Sequence, residues 1–172
     1  MRRKITVIVI IIVCFLLQNT IFKSLAIASV SPNLLIVVTS SFGFMRGKKE
    51  GMAVGFICGF LIDIFFGGII GFYALLYMYI GFLNGFFRKS FFPEEVRLPM
   101  LLIGASDFGL NLVIYFFQFF FRNRTDFGYY VVRLMVPELI YTIIVTLILY
   151  YILLKINGHL EEIERRSASK FV

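Results

Sequence analysis

Residues 5–17 read ITVIVIIIVCFLL, thirteen positions with no charge, no glycine and no alanine. Such a run is too continuous for a strand of a membrane barrel, where polar and apolar side chains alternate over about ten positions. A helix rises about 1.5 Å per residue, and about 20 apolar residues cross the roughly 30 Å of hydrocarbon. Working outward from this run, similar segments recur at about 30–45, 50–67, 70–87, 98–121 and 131–154, and the first extends over about 5–25. The expectation is an all-α, polytopic integral membrane protein with six transmembrane helices.

Composition points the same way. Of 172 residues, 60% are hydrophobic, 18% aromatic and 16% charged, and the mean hydropathy is +0.91. A water-soluble domain carries about 25% charged residues, so this chain lacks the charge to coat a sphere of its size. Arg2-Arg3-Lys4, the apolar run and Ala26-Ile27-Ala28 imitate a cleaved signal peptide. The long stretch from Gln18, with Phe22 and Lys23, departs from that pattern, and a retained first helix is expected.

The basic residues set the orientation. With a cytoplasmic N-terminus, the inner segments hold Arg2, Arg3, Lys4, Arg46, Lys48, Lys49, Arg88, Lys89, Arg97, Lys155, Arg165, Arg166 and Lys170. The outer ones hold only Lys23, Arg122, Arg124 and Arg133. This asymmetry predicts both termini in the cytoplasm. It also accounts for the net charge of +7 through anionic membrane lipids, with no nucleic acid required. The domain division expected is a membrane domain over 1–155 and a short cytoplasmic tail over 156–172, carrying Glu161, Glu162 and Glu164 and beginning as a solvated helix extension.

Chemistry-bearing constellations are sparse. Cys14 and Cys58 fall inside apolar segments, where thiols behave as small hydrophobes, and His159 has no second ligand at metal spacing. No Gly-x-Ser-x-Gly elbow and no phosphate-cradling glycine loop occurs. Neither an enzyme nor a bound cofactor or metal is expected.

Residues 31–85 are the informative region. Ser31-Pro32 reads as an N-cap followed by proline at the first helical position, opening a short second helix that holds Thr39, Ser40 and Ser41. Gly51, Gly55 and Gly59 follow at intervals of four, with Asp63 next in the series; Tyr73, Tyr77, Gly81 and Gly85 form a second ladder. Glycines so spaced let another backbone approach closely, either within the bundle or from a partner. Asp63, Asp107, Arg133 and Glu138 are ionisable residues in or near apolar segments. A carboxylate at a helix centre costs about 2.5–3.5 kcal/mol on an insertion scale. The expectation is an intramembrane polar network of Asp63, Asp107, Asn111, Arg133 and Glu138, with Arg133 reaching either Asp63 or Glu138. A proton relay is the alternative.

Pro32-Asn33-Leu34-Leu35, Arg46-Gly47, the stretch Gly51-xxx-Gly55-Phe56-xx-Gly59-Phe60-Leu61-x-Asp63, Gly67, Gly71-Phe72-Tyr73-Ala74-Leu75 and Gly81 together resemble the rod shape-determining protein MreD family. Pro32, Asn33, Asp63 and Gly71 are the family-motif positions. The middle third carries the likeness, and the length and six-segment layout agree throughout; the phenylalanine-rich Tyr115–Phe121 departs from it. The resemblance implies a bacterial inner-membrane component of lateral wall elongation, a non-enzymatic scaffold and regulator. Its implied partners are bitopic MreC, actin-like MreB, and the SEDS glycosyltransferase with its penicillin-binding transpeptidase. No catalytic residues are carried over. The runner-up is the substrate-binding membrane subunit of an energy-coupling-factor vitamin transporter. It resembles the chain in size and span number, but Ile5–Leu17 lacks that class's Ala-xxx-Ala coupling face. A small ion channel or exporter lacks its repeated polar stripe here.

Overall fold

A computed structural model describes residues 2–24, 31–66, 69–90, 92, 95–122 and 127–168. Ala26-Ile27-Ala28, Gly67, the loop residues Phe91, Pro93 and Glu94, Arg124 and positions 169–172 lie outside the described residues. The elements are α1 (Arg2–Asn19), α2 (Ile21–Ser24), α3 (Leu34–Arg46), α4 (Lys48–Phe66), α5 (Phe72–Asn84), a 3-10 turn (Gly85–Ser90), α6 (Arg97–Arg122), α7 (Phe127–Tyr130), a π turn (Val131–Met135) and α8 (Val136–Ala168). Among the described residues there is no strand.

The hub is α3. Every residue from Leu34 to Met45 is buried, because α1, α4, α5, α6 and α8 all pack around it. A helix that is apolar on all sides must be enclosed by others, and thirteen residues give a length of about 20 Å. Its start differs from the expected Ser31-Pro32 cap. Asn33 is the N-cap, and its side chain accepts from the Ile36 N–H at 3.2 Å. The amide oxygen satisfies a backbone donor that the helix itself leaves unpaired, so Pro32 lies just before the cap instead of opening the helix.

Polarity is inverted relative to a soluble bundle. Thr39, Ser40, Ser41, Asp63, Asn84, Asp107, Thr142 and Thr146 are buried, whereas Ile8, Phe56, Phe60, Leu75, Leu101, Ile144 and Ile148 are exposed. Apolar side chains cover the outside of α1, α4, α5, α6 and α8, the arrangement of a bundle whose solvent is lipid. Among the described residues, two helical stretches, Arg97–Phe117 and Gly128–Glu164, are long and apolar enough to cross a membrane. The π turn before α8 has a local cause. Pro137 supplies no N–H for the Arg133 carbonyl, so the preceding turn widens.

Candidate functional site

The glycine ladder lies inside the bundle. α4 and α5 run antiparallel, and Gly51, Gly55 and Gly59 face the backbone carbonyls of Gly81, Tyr77 and Tyr73 respectively. A Cβ on any of the three would collide with those carbonyls, and one on Gly85 would meet the Lys48 backbone. All five glycines of the two ladders are buried. This face is therefore occupied by the chain's own helices and is not open to a partner helix. Gly43 was missed in the sequence. A Cβ there would lie 2.6 Å from the Gly81 oxygen, and the signal was its continuation of the four-residue series through Gly47 to Gly51.

Asp63 stands apart from the other acids. Its Oδ2 accepts from the N–H groups of Gly71 at 3.0 Å and Ala74 at 2.9 Å, and its Oδ1 accepts from Tyr73 at 3.0 Å. Gly71 is the N-cap of α5 and carries no side chain to do this work. Its φ of 99° is left-handed, which glycine adopts without steric cost. The last turn of α4 thus caps the first turn of α5, and a carboxylate at a helix N-terminus also complements the helix dipole. The expected approach of Arg133 to Asp63 does not occur. Arg133 is exposed, with its guanidinium 5.5 Å from the Tyr129 ring, since the π turn directs it outward.

The remaining polar residues gather around Asn33. Its N–H donates to the Thr142 hydroxyl at 3.1 Å, and its Oδ1 also accepts from the Tyr77 hydroxyl at 2.9 Å. One residue therefore ties the start of α3 to α5 and α8. Asn111 donates to the Asp107 carbonyl at 3.1 Å and lies beside Glu138, while the Asp107 carboxylate lies beside Thr142. Asp107 is 1% exposed, and neither of its carboxylate oxygens has a hydrogen-bond partner. Of the five residues expected in one network, the structure brings together Asp107, Asn111 and Glu138. A separate cluster joins Asn84 to Ser106 at 2.8 Å and to Ser40 at 3.4 Å.

At the opposite end, charges clasp four helices. Arg46, with its side chain 9% exposed, donates to Asn157 Oδ1 at 2.5 Å and to Glu164 at 3.1 Å. Arg3 pairs with Glu164 at 2.6 Å and with Glu50. Burial works to raise the pKa of the Glu164 carboxyl, but the hydrogen bonds and charges of Arg46 and Arg3 outweigh it and hold that carboxyl below its usual range. No local pattern advertises this clasp, because Arg46 and Glu164 are 118 positions apart. Arg46→Gln is expected to cost about 1–2 kcal/mol, between the values for surface and buried pairs. Limited proteolysis should then cut the last turns of α8 faster than in the parent. Unchanged cleavage would show the clasp to be energetically idle.

An inverted-polarity helical bundle, closed by a glycine seam and holding acids in its interior, belongs to the class of helical membrane proteins. The family model of the rod shape-determining protein MreD matches residues 1–157. The chain belongs to the MreD family. No curated protein and no solved structure matches it.

Proposed function

We propose that the chain is a non-enzymatic scaffold and regulator of lateral cell-wall elongation in the bacterial inner membrane. In this reading it crosses the membrane six times with both termini in the cytoplasm. Its partners are MreC, MreB and the SEDS and penicillin-binding wall synthases. The observation that carries the reading is the family match across residues 1–157. The excess of basic residues at one set of helix ends supports the orientation. The clasp of Arg3, Arg46, Glu50 and Glu164 then lies on the cytoplasmic side.

The reading assigns the motif positions to folding. Asn33 and Asp63 cap helices, Gly71 makes the turn between α4 and α5, and Pro32 leads into the Asn33 cap. Partners meet the outer faces of α1, α4, α5, α6 and α8, since the glycine seam is internal.

The test is replacement of the resident copy in a rod-shaped host, followed by mild detergent extraction. Depletion is expected to give round cells, and the tagged chain should copurify with an MreC-type bitopic protein. Normal rods, or copurification with an ATPase module instead, would overturn the proposal and favour the transporter-subunit alternative.

A further inference from the structure

Beyond the scaffold role, and independently of it, we propose that the bundle contains a binding site for a molecule bearing a primary ammonium group. The site is a cavity of about 330 Å³, far above the roughly 15 Å³ that one water needs. Gln18, Asn33, Tyr77, Asn111, Tyr130 and Glu138 supply its polar wall. They come from α1, the α3 cap, α5, α6, α7 and α8. Five apolar side chains, Phe15, Ile62, Phe66, Leu110 and Ile114, form its apolar wall.

Two donors around this space are already engaged. The Tyr77 hydroxyl donates to Asn33 at 2.9 Å and the Asn111 amide to the Asp107 carbonyl at 3.1 Å. The Glu138 carboxylate faces the cavity. Asp107 sits behind the floor, within electrostatic reach of Glu138 and Tyr77. It is buried, with both carboxylate oxygens unpartnered.

No lysine or arginine is among the described residues lining the cavity. Arg133 points outward over Tyr129, and the ion pairs among the described residues cluster at the far end on Arg3 and Arg46. A half-buried carboxyl such as Glu138 either holds its proton or takes a cation beside it, and this cavity leaves room for the cation. A primary ammonium brings one charge and three donors and no acceptor, which suits a wall that carries the Glu138 carboxylate and no cation. The apolar wall suits an organic body over a hydrated metal ion. A soluble amine and the headgroup of an aminophospholipid share this chemistry.

The test uses the full chain in phosphatidylcholine nanodiscs and reads its thermal midpoint. Ethanolamine near ten times its Kd should raise the midpoint by about 4 °C, the shift ligand linkage predicts for a chain of this size. Ethylene glycol, of the same shape without the ammonium, and sodium chloride at equal ionic strength should leave it unchanged. Glu138→Gln should remove the ethanolamine shift. No shift with ethanolamine, an equal shift with either control, or a shift that survives Glu138→Gln would overturn the proposal. Should that variant fail to accumulate, the comparison of ethanolamine with ethylene glycol on the parent chain decides alone. Phosphatidylethanolamine nanodiscs then separate the sources. A midpoint already raised there and deaf to added ethanolamine assigns the site to the headgroup, whereas an unchanged ethanolamine shift assigns it to a soluble amine.

Discussion

Gly55→Leu and Gly59→Leu are each expected to reduce the chain to a small fraction of its normal membrane level, while Gly109→Leu leaves it near that level. The difference lies in what the new side chain meets. At Gly55 and Gly59 a Cβ runs into the backbone carbonyls of Tyr77 and Tyr73, whereas at Gly109 it meets nothing within 4 Å. A backbone atom cannot swing aside as a flexible side chain can, so α4 and α5 must separate along their whole contact. Overpacking of a core costs about 1–3 kcal/mol when side chains can yield. Here the cost is put at about 3 kcal/mol or more on the same basis. A loss of about 1–2 kcal/mol already changes cellular abundance several-fold. Quantitative immunoblotting of membrane fractions is the measurement. Normal levels for both seam variants would show that α4 and α5 do not approach as described.

Asp63→Leu is expected to damage the protein more than Asp63→Asn. Leucine would leave the N–H groups of Gly71, Tyr73 and Ala74 unpaired at the buried start of α5, and each buried unsatisfied donor costs about 1–3 kcal/mol. In asparagine the amide oxygen can take the place of Oδ2 and keep the bonds to Gly71 and Ala74. Its NH2 then faces the Tyr73 N–H and one bond is lost. The expected order in protein level and in rod shape is parent, then Asn, then Leu. Loss of rod shape with both variants at undiminished protein level would favour the transport or relay alternative over a capping role alone.

The ladders of Gly51, Gly55 and Gly59 and of Tyr73, Tyr77, Gly81 and Gly85 were legible in the sequence because a helix repeats its faces every three to four residues. What packs against a face is not encoded by period, so the sequence leaves an external partner open, and the position of α5 closes that alternative. Asp63 was read as one member of an acid network for a related reason. A carboxylate that caps the next helix leaves no local signature beyond the glycine eight residues later. The cap of α3 was displaced by two residues because Ser31-Pro32 and Asn33 are both acceptable openings by propensity. The choice was made by distant residues, Tyr77 and Thr142, which bond to Asn33. Arg133 was misplaced because a π turn rotates side chains away from where an α-helix would aim them.

The clasp between Arg3 and Glu164 spans 161 positions of chain, and this has a consequence for biogenesis. Chains are synthesised from the N-terminus onward, and early segments fold while later ones are still being made. The pair of α4 and α5 can close as soon as both have left the ribosome, since its contacts are local. The ends of α1 and α3 that meet α8 must instead wait: Arg3 already has Glu50 of α4, but Arg46 is held only by water and lipid headgroups. Arrival of Glu161 and Glu164 supplies the countercharge of Arg46 and a second one for Arg3, and draws the waiting helices together. Of the described helices, α8 is thus the one that completes the clasp, and a chain stalled before it would keep an open, positively charged end.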